Sequence, residues 1–190
     1  MEIDIKKWLN GEGEAFLKDI GIKKGDVVLD FGCGAGHYTI PAAKVVSKEG
    51  QVYVMDKDLE SMHKLMEIAK TKGLKNIIPL HAKSEESKIN LESKSIDAVL
   101  LYDILHYMEA LERKKIYEEI YRILKTGGLL SVYPKHRKSD EPLWNLSDMK
   151  LDEVIEEINS RHFYLQKKFY KKLLHNNNYN LGYILNFRKK

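Results

Sequence analysis

A chain of 190 residues, 43% hydrophobic and 32% charged, is the length of one ordinary domain and can bury a full core. No apolar run approaches the ~18 residues of a membrane span and the first residues carry no secretory pattern, so a cytoplasmic protein is expected. The single cysteine, Cys33, excludes an internal disulfide, and seven scattered histidines show no zinc-ligand spacing, so no metal is expected. The net charge of +4 is unevenly spread: residues 1–160 hold 24 basic and 28 acidic side chains, whereas residues 161–190 hold eight basic and no acidic ones.

Residues 4–20 read as helical and are placed to fold over the end of the first strand, although Gly11 and Gly13 weaken a helix there. Residues 27–31 form a short apolar strand interrupted by Asp30. Gly32, Gly34 and Gly36 follow at alternate positions, and then a helical stretch over 38–46. That order describes a buried strand whose carboxyl end turns sharply into a helix, with backbone close enough to touch a small molecule. A dinucleotide fingerprint needs glycine at its first, third and sixth places, and the sixth place counted from Gly32 is His37, so that pattern fails.

A second strand over 51–56 ends at Asp56. The helix over 59–72 has Met62, Leu65, Met66 and Ala69 at helical spacing and stops at Gly73. Residues 77–81 form the next strand, a polar stretch has no clear assignment, and residues 98–102 form another strand. The helix over 109–125 lines up Ile116, Ile120, Ile123 and Leu124, and Gly127 with Gly128 closes it before a strand over 129–133. A helix over 151–160 precedes strands 163–170 and 181–188, joined through the Asn-rich residues 176–180 as an antiparallel hairpin. Strands linked by helical crossovers require a mainly parallel sheet with helices on both faces. The expected fold is therefore α/β: a doubly wound, Rossmann-like, seven-stranded, mostly parallel sheet with a C-terminal antiparallel hairpin. It makes one domain over 1–190, with residues 1–20 as an N-terminal helical segment on a 21–190 core.

The run Asp30-Phe31-Gly32-Cys33-Gly34-Ala35-Gly36 resembles motif I of the class I S-adenosylmethionine-dependent methyltransferases, Asp-x-Gly-x-Gly-x-Gly, and the likeness extends from about Gly21 to Arg188. The resemblance implies S-adenosylmethionine as cofactor. Asp30 would meet the ammonium of its methionyl part, and the amides of Gly32, Cys33, Gly34, Ala35 and Gly36 its carboxylate and ribose. Motif II corresponds to residues 52–57, where Asp56 would accept from both ribose hydroxyls beside Lys57, while Asp58 competes for that role or caps the next helix. Motif III departs from the family form: Ala82-Lys83-Ser84-Glu85 stands where Gly-Asp-Ala-Glu is usual. Lys83 cannot accept from an adenine amino group, which leaves a backbone carbonyl, Ser84 or Glu85. Motif IV resembles residues 96–107. Ligands of open parallel sheets lie beyond the carboxyl ends of the strands, so Tyr102, Asp103 and His106 should face the methyl-transfer region, Tyr102 among the cofactor contacts.

The Leu105-His106-Tyr107 form is similar to the small single-domain branch that includes quinone-biosynthesis and arsenite methyltransferases; the metalloid-binding thiols of the latter are missing. In such chemistry the protein mainly aligns the reacting atoms and excludes water. His106 is the first candidate base, Asp103 the second, and His37 and Tyr133 distant ones. A small-molecule acceptor is expected. RNA is the alternative partner, through residues 161–190, where Phe163, Tyr164, Phe169, Tyr170, Tyr179 and Tyr183 interleave with lysines, and through residues 135–138. Asp103 and Lys135 loosely resemble the aspartate and lysine of ribose 2′-O enzymes, but a glutamate near the last strand is missing. The plain reading of the tail is an edge hairpin showing lysines to water. A non-catalytic cofactor-binding scaffold is the third reading.

Overall fold

The computed structural model describes residues 2–80, 88–137, 146, 148–175 and 177–190. Seven strands form one sheet in the order β3-β2-β1-β4-β5-β7-β6: β1 (Val27–Phe31), β2 (Gln51–Met55), β3 (Ile77–Pro79), β4 (Ile96–Tyr102), β5 (Leu124–Tyr133), β6 (Phe163–His175) and β7 (Asn178–Lys189). Strand β1 pairs in parallel with β2 and with β4, and β7 is antiparallel to both β5 and β6. The chain winds outward from β1 to β3, then crosses back to β4 on the other side of β1. That reversal opens a crevice at the carboxyl ends of β1 and β4, where ligands of such sheets bind.

Alternation along each strand splits the core in two. Val28, Val52 and Leu100 pack on one face with α2 (Gly13–Ile20), α3 (Thr39–Val46) and α4 (Leu59–Thr71), and Leu29, Val99 and Leu130 pack on the other with α5 (Ala110–Ile123) and α6 (Leu151–Asn159). Both faces of the central strands are thus buried, which is why they read as near-continuous apolar runs. Helices α5 and α6 are clamped by Arg113, whose Nε and Nη2 both donate to the Glu157 carboxylate at 2.8 Å. Among the described residues no helix is long and apolar enough to cross a membrane.

The structure departs from the sequence expectation in three places. Helix α5 ends at Ile123, and Leu124 already belongs to β5. Gly127 and Gly128 lie within that strand, where the register against β4 jumps from Ile96↔Leu124 to Ala98↔Leu129 and Gly127 takes a positive φ of 71°. The glycines make a bulge rather than a helix stop. The hairpin is longer than expected: Asn178 and Asn180 pair with His175 and Leu173 inside β6–β7, so most of the Asn-rich run is strand. Strand β3 ends at Pro79, although the Leu80 amide still donates to the Val54 carbonyl at 2.8 Å, and residue 81 of the expected strand lies outside the described residues.

The N-terminal segment is two helices, α1 (Glu2–Lys7) and α2, joined across a kink over Trp8–Glu12 where Asn10 and Gly11 leave helical backbone, Gly11 with φ 142°. Gly13 serves close packing. A Cβ there would stand 2.7 Å from Pro41 Cγ and 2.9 Å from the Trp8 indole nitrogen.

Candidate active site

The turn after β1 is built by three glycines in left-handed conformations, with φ of 82° at Gly32, 47° at Gly34 and 80° at Gly36. The outer two are required by their neighbours. A Cβ on Gly32 would fall 2.4 Å from Ile104 Cγ2, and one on Gly36 2.3 Å from Leu65 Cδ1. Gly34 differs: among the described residues nothing lies within 4 Å of its Cβ position, so its backbone faces open space between them. Gly32 and Cys33 donate their amides to the Met55 carbonyl at 2.8 and 3.2 Å, which ties the turn to the end of β2. Ala35 is exposed at the tip.

Asp56 stands at the end of β2 facing that turn. Its Oδ2 accepts from the Gly34 amide at 2.7 Å and its Oδ1 from the Asp58 amide at 2.9 Å. Asp58 has the other role: it caps α4, accepting from the Glu60 amide at 3.0 Å and the Ser61 hydroxyl at 2.6 Å. Lys57 is exposed between the two. Ser84, with Lys83 and Glu85, lies outside the described residues.

Asp30 is 2% exposed on β1, and Thr39 at the start of α3 donates to its Oδ2 at 2.5 Å. Burial pushes its carboxyl up to about 7; the Thr39 bond opposes the rise and the nearby Asp56 charge adds to it. The folded protein therefore holds the Asp30 proton more tightly than the unfolded chain, whose ordinary value is 3.8. Its contribution to stability is full below that value and is lost as pH rises through about 7. A cationic ligand placed against Asp30 needs the ionised form. Its affinity is expected to fall about fivefold from pH 7 to pH 6, and calorimetry on Asp30→Asn should show that step gone. Thr39 was not among the expected residues; a hydroxyl nine positions after a strand-end aspartate, opening the next helix, was its only signal. Burial, with the charges of Asp30 and Asp56, pushes the Cys33 thiol up, so it stays protonated and unreactive.

Aromatic rings pack beside the glycine turn. The Trp8 indole donates to the His37 carbonyl at 2.8 Å and meets Tyr38 edge-on at 5.3 Å, and Tyr38 meets Tyr102 edge-on at 4.7 Å. Tyr38 also donates to the Leu174 carbonyl at 2.9 Å, which joins the hairpin to this wall. Tyr102 is buried with its hydroxyl 2.7 Å from Ser131 Oγ, and Ser131 donates onward to Asn186 Oδ1 at 2.8 Å. Its hydroxyl is thus committed inside the sheet, leaving the ring edge as what it offers. Tyr133 is likewise buried, its ring filling the space above Gly182, where a Cβ would come within 2.5 Å of it.

Beyond β4 the backbone turns through Asp103, a non-glycine residue with φ 57°, and its carboxylate gathers three imidazoles. His175 Nδ1 hydrogen-bonds Asp103 Oδ2, and His136 Nε2 and His106 Nδ1 each lie 3.8 Å from Asp103 Oδ1. The His106 and His136 rings are 4.4 Å apart, and His136 and His175 5.2 Å. Burial, reinforced by the two other imidazoles against the pull of Asp103, pushes His106 down to about 4. It is neutral at pH 7. His106 and Asp103 were expected at this edge; His136 was placed on this face only as part of the basic loop 135–138, and His175 was not assigned to it. That loop was read as a basic contact for RNA, yet His136 within it is buried. His175 arrives because β6, twice reversed relative to β5, ends on the same edge as the parallel strands.

A protein-family model described as "Methyltransferase domain" matches residues 28–128, a span that takes in the glycine turn, Asp56, Asp103 and His106. The chain belongs to the class I S-adenosylmethionine-dependent methyltransferases. A solved S-adenosylmethionine-dependent methyltransferase from Aquifex aeolicus is 26% identical, with a TM-score of 0.76 over 93% of this chain and 88% of that one. A demethylmenaquinone methyltransferase of Staphylococcus aureus is 31% identical over 120 residues, 60% of this chain and 45% of the relative, so the chain spans less than half the length of that relative. The cyclase SpnF, 16% identical, shares the fold with a TM-score of 0.73 over 93% of this chain and 80% of its own. S-adenosylmethionine is the cofactor of the family, and the residues here suit it: open space over the Gly34 backbone, a carboxylate at the end of β2, and a buried carboxyl on β1.

Proposed function

We propose that this methyltransferase moves the methyl group of S-adenosylmethionine to a small-molecule acceptor bound at the carboxyl ends of β1, β4 and β5. One observation carries the reading. Asp56 accepts from the Gly34 amide and acts on the buried Asp30 carboxyl, so all three meet at the carboxyl end of β1, and the neighbouring strand β4 ends in the Asp103–His106 cluster, linked to the turn by Ile104 packed over Gly32. When bound, the cofactor supplies a methyl on a sulfonium, a leaving group that needs no activation. The chain's own residues do the rest. Asp56 holds the ribose hydroxyls, ionised Asp30 faces the ammonium, and Trp8, Tyr38 and Tyr102 keep water from the crevice. Neutral His106 is a proton acceptor at this edge, with Asp103 beside it.

The small-molecule reading over RNA is supported by the tail. Its lysines lie over its own rings, with Lys172 Nζ 3.9 Å from the Tyr179 ring centroid and Lys167 Nζ 4.4 Å from that of Phe169, so these rings are already engaged within the hairpin. Lys189 Nζ is turned inward to the carbonyls of Tyr121 and Leu124. The name of the Staphylococcus aureus relative, a demethylmenaquinone methyltransferase, points the same way. The cyclase neighbour is a reminder that the fold alone assigns no chemistry. Incubation of the protein with methyl-labelled cofactor and cell extract, followed by separation into RNA, protein and small metabolites, is expected to label the metabolite fraction. Label in RNA overturns the acceptor class, and no label in any fraction overturns the transferase in favour of a scaffold.

A further inference from the structure

The family chemistry above uses the Asp103 cluster only for proton handling, yet its composition exceeds that task. Three side chains from three separate elements, the turns after β4 and β5 and the end of β6, each offer one ligand atom, and all three atoms lie within 4.8 Å of one another: Asp103, His136 and His175. We infer that these three residues form a binding site for a divalent transition-metal ion on the acceptor side of the crevice.

Four features of the chain support it. Ligands bonded at about 2.0–2.2 Å stand about 3–4 Å apart around a common metal, and His136 Nε2 and Asp103 Oδ1 are 3.8 Å apart. Asp103 and His136 both hold left-handed backbone, φ 57° and 60°, a conformation costly for non-glycine residues and concentrated where side-chain placement matters. Asp103 Oδ1 is buried and receives no hydrogen bond from the described residues, so one carboxylate oxygen is available as a ligand. The two histidines sit under little solvent, with side chains 6% exposed at His136 and 9% at His175, so an ion held between them would be shielded by protein.

Two imidazoles and one carboxylate favour zinc, iron, cobalt or manganese over magnesium or calcium, which prefer all-oxygen surroundings. Three protein ligands leave coordination positions open. An ion held here would favour an acceptor bearing a hydroxyl or adjacent oxygens. That last step rests on the proposed methyl transfer; binding of the ion does not.

The full chain, stripped with chelator, is titrated with Co²⁺ followed by visible absorption and with Zn²⁺ followed by calorimetry. The expected result is one equivalent of each, zinc displacing cobalt, with Mg²⁺ failing to compete. His136→Ala and His175→Ala should each weaken binding more than about 100-fold, beyond what loss of an outer-shell partner costs, while His63→Ala on the exposed face of α4 changes nothing. Circular dichroism and binding of S-adenosylhomocysteine confirm that the variants are folded. Catechol, a two-oxygen probe, should shift the cobalt bands, and bands that ignore it overturn the acceptor class inferred here. No binding by the unaltered chain, or binding indifferent to both histidine variants, overturns the site. With S-adenosylhomocysteine binding intact, that outcome leaves the proposed methyl transfer standing. Failure to label any fraction with the ion bound does the reverse.

Discussion

Asp56→Ala is expected to lower affinity for S-adenosylmethionine about 100-fold, with little loss of stability. The carboxylate is half-buried at the end of β2 and already accepts from the Gly34 and Asp58 amides. Each oxygen has a second lone pair, so both ribose hydroxyls can be received without breaking the turn. Hydrogen bonds to a charged acceptor contribute about 1.5–3 kcal/mol each, and losing two gives about 3 kcal/mol at the low end, the free energy of a 100-fold change. The amides left behind lie beside solvent, which limits the folding cost. Asp56→Asn keeps one accepting oxygen and should fall between the two. Calorimetry with the cofactor and with S-adenosylhomocysteine reads the loss directly, and an alanine variant that binds as tightly as the parent removes the ribose role from Asp56.

Gly36→Ala and Gly34→Ala should divide stability from binding within one turn. At Gly36 a methyl would sit 2.3 Å from Leu65 Cδ1, in a core where Leu65 is wholly buried, on a backbone with φ 80°. Left-handed backbone costs an L-residue about 1–2 kcal/mol and overpacking adds about 1–3 kcal/mol, so unfolding in urea should show a loss of about 2–5 kcal/mol. At Gly34 the methyl meets none of the described residues and φ is 47°, inside the left-handed region that side chains can reach. That variant should lose about 1 kcal/mol or so of stability. Its methyl projects into the space where the cofactor must approach the backbone, so cofactor affinity is expected to drop by at least tenfold. Equal effects of the two substitutions on unfolding would contradict the division.

The nucleotide-facing half of the site was legible because it is local. Asp30, Gly32, Gly34 and Gly36 lie within one strand and its turn, and a turn that requires left-handed backbone writes itself as glycine. Asp56 and Asp58 were both candidates, and only geometry separated them: the end of β2 directs Asp56 at Gly34, while Asp58 starts a helix with an unmet amide to receive. Gly127 and Gly128 misled the reading of α5 because a glycine pair marks a helix stop and a strand bulge alike, and only pairing with β4 decides which.

By itself the sequence determined the alternation of strands and helices, the parallel sheet this demands, and the turn that makes a cofactor crevice, since each follows from side-chain periodicity and backbone freedom over a few residues. Only the tertiary structure decided what stands opposite that crevice. Asp103 and His175 are 72 residues apart, and they meet because β6, antiparallel to the β7 that is itself antiparallel to β5, runs in the same direction as β4 and ends at the edge where β4 stops. No local spacing encodes such a meeting. It depends on strand order and register, which are settled by burying both faces of the sheet at once.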